Sequence, residues 1–110
     1  MKITDIVTGL NLKVISGHNG LTNEITGGYV SDLLSDVMGN AKEGQVWITL
    51  QTHQNIIAVG SLKDLSAIII VKGLVPEADT VEKSNIENIP VLSTELDTFN
   101  MTGRLFDLLR

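Results

Sequence analysis

The spacing of apolar residues predicts an α/β fold, a mainly parallel sheet with flanking helices. Gln45 to Leu50 and Ala67 to Val71 are short aliphatic runs, and between them Ile56, Ile57, Val59, Leu62 and Leu65 recur at helical intervals. A strand, a crossover helix and a second strand in so short a stretch make a βαβ unit, with parallel strands and a right-handed connection. The pattern returns more weakly afterwards. Pro76 suits a first helical turn, Ala78 and Val81 face inward from a helix ending near Glu87, and Ile89 to Leu92 form a strand.

The remaining elements follow from the N-terminus. Ile3, Ile6, Val7 and Leu10 lie on one face of a short helix, and Leu12 to Ser16 follow as a strand. Gly17-His18-Asn19-Gly20 is a loop. A second extended piece covers Glu24 to Val30, where the pair Gly27-Gly28 predicts a bulge or a close backbone approach. Ser31 is placed to cap a helix bearing Leu33, Leu34, Val37 and Met38, with Gly39 as a left-handed stop. Strand 45–50 is expected to be covered on both faces, with Trp47 in a core or an interface. Ser93 or Thr94 caps a last helix carrying Leu96, Phe99, Leu105, Phe106 and Leu109.

Composition narrows the function. The 110 residues fit one domain over 1–110, since two cores of half that size would each be too small. There is no cysteine, which removes disulfides, thiol catalysis and cysteine-ligated clusters. The formal charge is −5, and Lys2, Lys13, Lys42, Lys63, Lys72, Lys83, Arg104 and Arg110 form no run. Neutralising many phosphates needs clustered cations, so neither nucleic acid nor an anionic membrane is an expected partner. No apolar run is long enough for a signal or a span, and the expected location is cytoplasmic.

Ligands of open α/β sheets collect past the carboxyl ends of the strands, where helix N-termini present unpaired N–H groups. Three stretches land there, and from them Thr52, His53, Gln54, Lys72, Gly73, Ser93 and Thr94 are the candidate ligand-binding residues. They supply hydroxyls, an amide, an imidazole and an ammonium, a set suited to a small anion. The plainer role for Thr52 and Thr94 is helix capping. His18 reads as an exposed loop residue, and Asp32 and Asp36, four apart, as a solvated helix face. Neither histidine has a carboxylate or second histidine at a metal-binding interval, so no metal and no cofactor is expected. The phosphate-binding pattern G-x-x-x-x-G-K-[ST], the dinucleotide pattern G-x-G-x-x-G and the nucleophile pattern G-x-S-x-G are all absent.

Residues 26–39, then Val46-Trp47-Ile48-Thr49-Leu50-Gln51-Thr52-His53-Gln54-Asn55, Ile89-Pro90-Val91-Leu92-Ser93 and Asp97-Thr98-Phe99 resemble the DRTGG domain family over nearly the whole length. The resemblance is to a stand-alone member, similar to the DRTGG domains beside CBS domains and in phosphotransacetylases. It implies a fold similar to the HPr kinase N-terminal domain and a regulatory, dimeric character. Where the family pattern has Asp-Arg, this chain has Thr52-His53, and where it has Thr-Gly-Gly, this chain has Val71-Lys72-Gly73. The family carries no catalytic residues to these positions.

The expectation is a non-catalytic regulatory domain, self-associating as a homodimer, that senses a small anionic metabolite or nucleotide. The alternatives are an accessory or docking subunit of a hydrogenase-type redox complex, which would add a protein partner, and a kinase-related enzyme.

Overall fold

The computed structural model describes residues 1–110. Strands β1 (Lys13–Ser16), β2 (Gly27–Val30), β3 (Gln45–Thr49), β4 (Ala67–Ile70) and β5 (Val91–Ser93) form one sheet in the order β1-β5-β4-β3-β2. The last four in sequence run parallel, and β1 alone is antiparallel, paired with β5. Helices α1 (Ile3–Gly9), α2 (Leu34–Asn40), α3 (Asn55–Leu62), α4 (Ala78–Glu87) and α5 (Thr98–Leu109) complete the chain.

The topology explains the layers. Each crossover from β2 to β5 steps one strand in the same direction, and crossovers of one hand stepping one way place their helices on one face. Thus α2, α3 and α4 pack in a row on that face, while α1 and α5 cover the other. The two-residue period of a strand divides the core between these layers. Val46, Ile48, Ala67, Ile69 and Leu92 meet Ile3, Ile6, Met101 and Leu105, whereas Trp47, Ile68, Ile70 and Val91 meet Val37, Ile56 and Ile57. Cover on both faces is why Ala67 to Val71 reads as unbroken aliphatic sequence.

Residues 17–26 cross from one sheet edge to the other beneath the N-terminal ends of the parallel strands. The Thr26 N–H donates to Gly44 O at 2.9 Å, and Asn23 Nδ2 donates to Ser66 O at 3.1 Å. Gly17, at φ 72°, lies so close to the Ile89–Pro90 backbone that any Cβ would overlap it. A cavity of about 530 Å³ at this margin is ringed by Glu24, Glu43, Asp64 and Glu87. Its sign repels anions.

Several expectations need correction. Gly27-Gly28 makes no bulge, because β2 keeps regular register with β3, and a Cβ on Gly28 would meet Leu105 only at ordinary contact distance. Gly39 lies inside α2, which ends at Asn40 without a left-handed residue. The Ser31 hydroxyl accepts from the Leu33 N–H at 3.1 Å as a local turn, and Leu33 occupies the N-cap position. α4 turns Thr80 and Ser84 inward and leaves Ala78 exposed, because the two hydroxyls donate to the half-buried carbonyl of Thr52 and the buried carbonyl of Ile89. β5 starts after Pro90, which has no N–H for the ladder. Leu62, Phe99 and Phe106 are exposed, so the apolar pattern of α3 and α5 exceeds what the core uses. No helix is long and apolar enough to cross a membrane.

Candidate functional site

The C-terminal ends of β2, β3, β4 and β5 form the opposite margin. Asp32, just past β2, clamps the end of β3. One carboxylate oxygen accepts from Thr49 Oγ1 at 3.0 Å and from the Leu50 N–H at 2.7 Å, while Gln51 Nε2 donates to Asp32 O at 2.8 Å. Asp32 lies outside α2, and no sequence signal pointed to this role. Trp47 Nε1 donates to Ser31 O at 2.7 Å, so its buried indole joins β2 to β3 within the chain.

Past β3, the Thr52 carbonyl accepts from the Glu77 N–H at 3.1 Å and Thr80 Oγ1 at 2.7 Å, tying this loop to α4. Thr52 does not cap α3. His53 Nδ1 accepts from the Asn55 N–H at 3.1 Å, so the exposed imidazole closes the helix start, with half-buried Gln54 at the N-cap position.

Past β4, Lys72 and Gly73 adopt left-handed conformations, with φ 61° and 66°. Their N–H groups donate to Leu96 O at 2.9 Å and Thr94 O at 2.8 Å, which locks the strand end to the loop before α5. The other non-glycine residues at positive φ are Asn11, Asp64 and Asn88, types whose short polar side chains tolerate that region. Lys72 has no such compensation. A Cβ on Gly73 would overlap the Glu95 carboxylate.

Past β5, Thr94 Oγ1 accepts from the Leu96 N–H at 3.2 Å. Neither Ser93 nor Thr94 caps α5; Asp97 does, accepting from the Asn100 N–H at 2.8 Å. Half-buried Ser93 and Thr94 line a cavity of about 420 Å³ together with Asn11, Lys13, Glu95 and Arg104. Lys72, Gly73 and Thr94 are therefore joined directly, Ser93 lies beside them, and Thr52, His53 and Gln54 stand one strand away against α4.

The chemistry open to this margin is limited and specific. The N–H groups of Asn55, Lys72, Gly73 and Asn100 are already paired, so an anion would be held by side chains rather than a backbone cradle. Among the histidines and carboxylates, no group of three is placed to hold a metal ion. The groups with displaced protonation lie elsewhere, in the pair that fastens α2 to β2. Tyr29 Oη donates to Asp36 Oδ2 at 2.9 Å, and this bond, then burial and the carboxylate charge, raises the phenol above its usual 10.0. Asp36 is held below its usual 3.8, first by the Ser31 hydroxyl and then by Tyr29.

A second surface is apolar. β2 is a sheet edge, and a cavity of about 380 Å³ between it and α5 is lined by Gly28, Tyr29, Val30, Ile48, Leu105 and Phe106. Val30 is 43% exposed, Phe106 69% and Phe99 84%.

Comparison with known proteins places this geometry. The family model described as DRTGG domain matches residues 5–108. No curated protein matches the chain. Among solved structures, the CBS and DRTGG domains of the regulatory region of Clostridium perfringens pyrophosphatase, complexed with the activator diadenosine tetraphosphate, share the fold with a TM-score of 0.73 at 19% identity. The match covers 96% of this chain and 45% of that one, so the chain spans under half of its neighbour.

Proposed function

The chain belongs to the DRTGG domain family, and from that premise we propose that it is a non-catalytic regulatory domain, one unit over 1–110, that binds a small anionic metabolite or nucleotide. The observation that carries the reading is Lys72. A long cationic side chain is held in a disfavoured backbone conformation at the end of a central strand, beside the Thr94–Leu96 turn. Strain retained in a fold marks positions kept for a task other than stability. The groups around it can attract and hydrogen-bond an anion. They include no nucleophile–base pair of the kind that activates a serine or threonine.

Adenine nucleotides are the first anions to titrate, because the similar regulatory region carries a dinucleotide activator. Isothermal titration with ATP, ADP and acetyl phosphate is expected to show saturable binding that Lys72→Ala weakens. Absence of binding at millimolar ligand rejects the sensing function.

The reading includes self-association in the cytoplasm as a homodimer through the β2 edge. An edge strand leaves alternate N–H and C=O groups unpaired, and here exposed Val30 and Phe106 flank them. Sedimentation is expected to show a dimer that Val30→Lys with Phe106→Asp converts to monomer. A wild-type monomer at high concentration rejects the dimer and leaves that face for a different protein, such as the redox-complex partner of the alternative reading.

A further inference from the structure

We propose that the cleft between the α1–β1 turn, β5 and α5 is a phosphate-binding site in which Lys13 and Arg104 hold the anion. This rests on the anion-binding reading above and names the group that is recognised. Lys13 opens β1 opposite Ser93, its partner in the ladder, and Arg104 projects from α5 across the same cavity of about 420 Å³. That size suits a small metabolite.

The charge balance of the cleft, two cations against the single carboxylate of Glu95, favours an anion. Its two cations stand outside the chain's ion pairs, which join the N-terminal ammonium to Glu24 and Arg110 to Asp107. The one lining carboxylate, Glu95, lies against Gly73, at the side of the cleft facing β4. Asp107, one helical turn beyond Arg104, is engaged by Arg110 at 3.0 Å.

The hydrogen-bonding groups agree. Thr94 Oγ1 accepts from the Leu96 N–H and keeps its own proton to donate, and Ser93 lines the same cleft. A guanidinium offers two parallel donors to phosphate oxygens and an ammonium offers a point charge, so both cations and the Thr94 hydroxyl address one tetrahedral anion. The Thr94–Leu96 turn forming the floor also accepts the N–H groups of Lys72 and Gly73 through its carbonyls. Occupation of the cleft therefore reaches the strained end of β4 without an intermediary.

The test is amide-resolved NMR titration of the full chain with inorganic phosphate, AMP and adenosine. Phosphate and AMP are expected to shift the amides of Lys13, Ser93, Thr94 and Arg104, and adenosine to leave them in place. Lys13→Gln with Arg104→Gln is expected to weaken AMP at least tenfold, Arg104→Lys less, and the distant Lys83→Gln not at all. Unchanged spectra outside the substituted sites establish that the variants fold. Shifts that adenosine reproduces, or AMP affinity within twofold of wild type in the double variant, overturn the site. If that affinity is instead lost in Lys72→Ala, the sensing function stands and this location falls. If no anion moves any amide, both fall together.

Discussion

Replacing Lys72 with glycine separates backbone strain from charge. The left-handed conformation costs an ordinary residue about 1–2 kcal/mol, and Lys72 holds it at φ 61° with its N–H bonded to Leu96 O. Glycine keeps that bond and removes the strain, but its unfolded chain is freer by roughly 0.4–1 kcal/mol. The exposed ammonium forms no ion pair in the structure, so nothing else of size is lost. Lys72→Gly is then expected to stabilise the protein by about 0.5–1 kcal/mol, equivalent to a melting temperature higher by roughly 2–5 °C. Lys72→Ala retains the strain and removes the same charge, so it is expected within about 0.5 kcal/mol of wild type. Urea unfolding followed by far-ultraviolet circular dichroism resolves these differences. A glycine variant no more stable than wild type, or an alanine variant matching the glycine one, refutes the assignment of strain.

Neighbouring positions give independent checks. Gly73→Ala is expected to cost upwards of about 1–2 kcal/mol in the same assay, since it meets positive φ and the Glu95 carboxylate together, and Glu95→Ala in the same chain is expected to recover only part. Asp97→Ala is expected to lose about 1 kcal/mol as the α5 cap, with Thr94→Ala losing less; the reverse order would return the cap to Thr94. Because the folded protein holds Asp36 below its usual 3.8, the stabilisation is present above that pH and lost as pH falls through the lowered value. The urea midpoints of wild type and Tyr29→Phe are therefore expected to converge on acidification below 3.8, and a constant gap contradicts the pairing.

The sequence carried the doubly covered part of the fold well and its margins poorly, for physical reasons. Residues 45–71 combine branched strands with a helical repeat, and the structure returns β3, α3 and β4 within a residue or so of the expected strand ends. Periodicity reports burial, however, and so it misassigned Phe99 and Phe106, which both face outward on α5, Phe106 beside the β2 edge. It also passed over Thr80 and Ser84, whose inward hydroxyls serve carbonyls distant in sequence.

Caps were misplaced because Thr52, Thr94 and Asp97 all have the right chemistry and only chain direction chooses among them. At the site, the rule that ligands gather past strand ends selected Lys72, Gly73, Ser93 and Thr94, and three of these are joined by the loop before α5. Lys13 and Arg104 escaped notice as scattered charges. They are 91 residues apart and meet only because β1 runs antiparallel against β5, a pairing with no local signature.

Binding without chemistry can be examined in one tube. Phosphorus NMR of ATP with stoichiometric protein and magnesium is expected to show broadened or shifted nucleotide resonances that return on dilution, with no new signal over hours. Product resonances that grow with time, and disappear when Lys72 or His53 is replaced, would make this protein an enzyme. Unperturbed ATP spectra would leave it without its nucleotide.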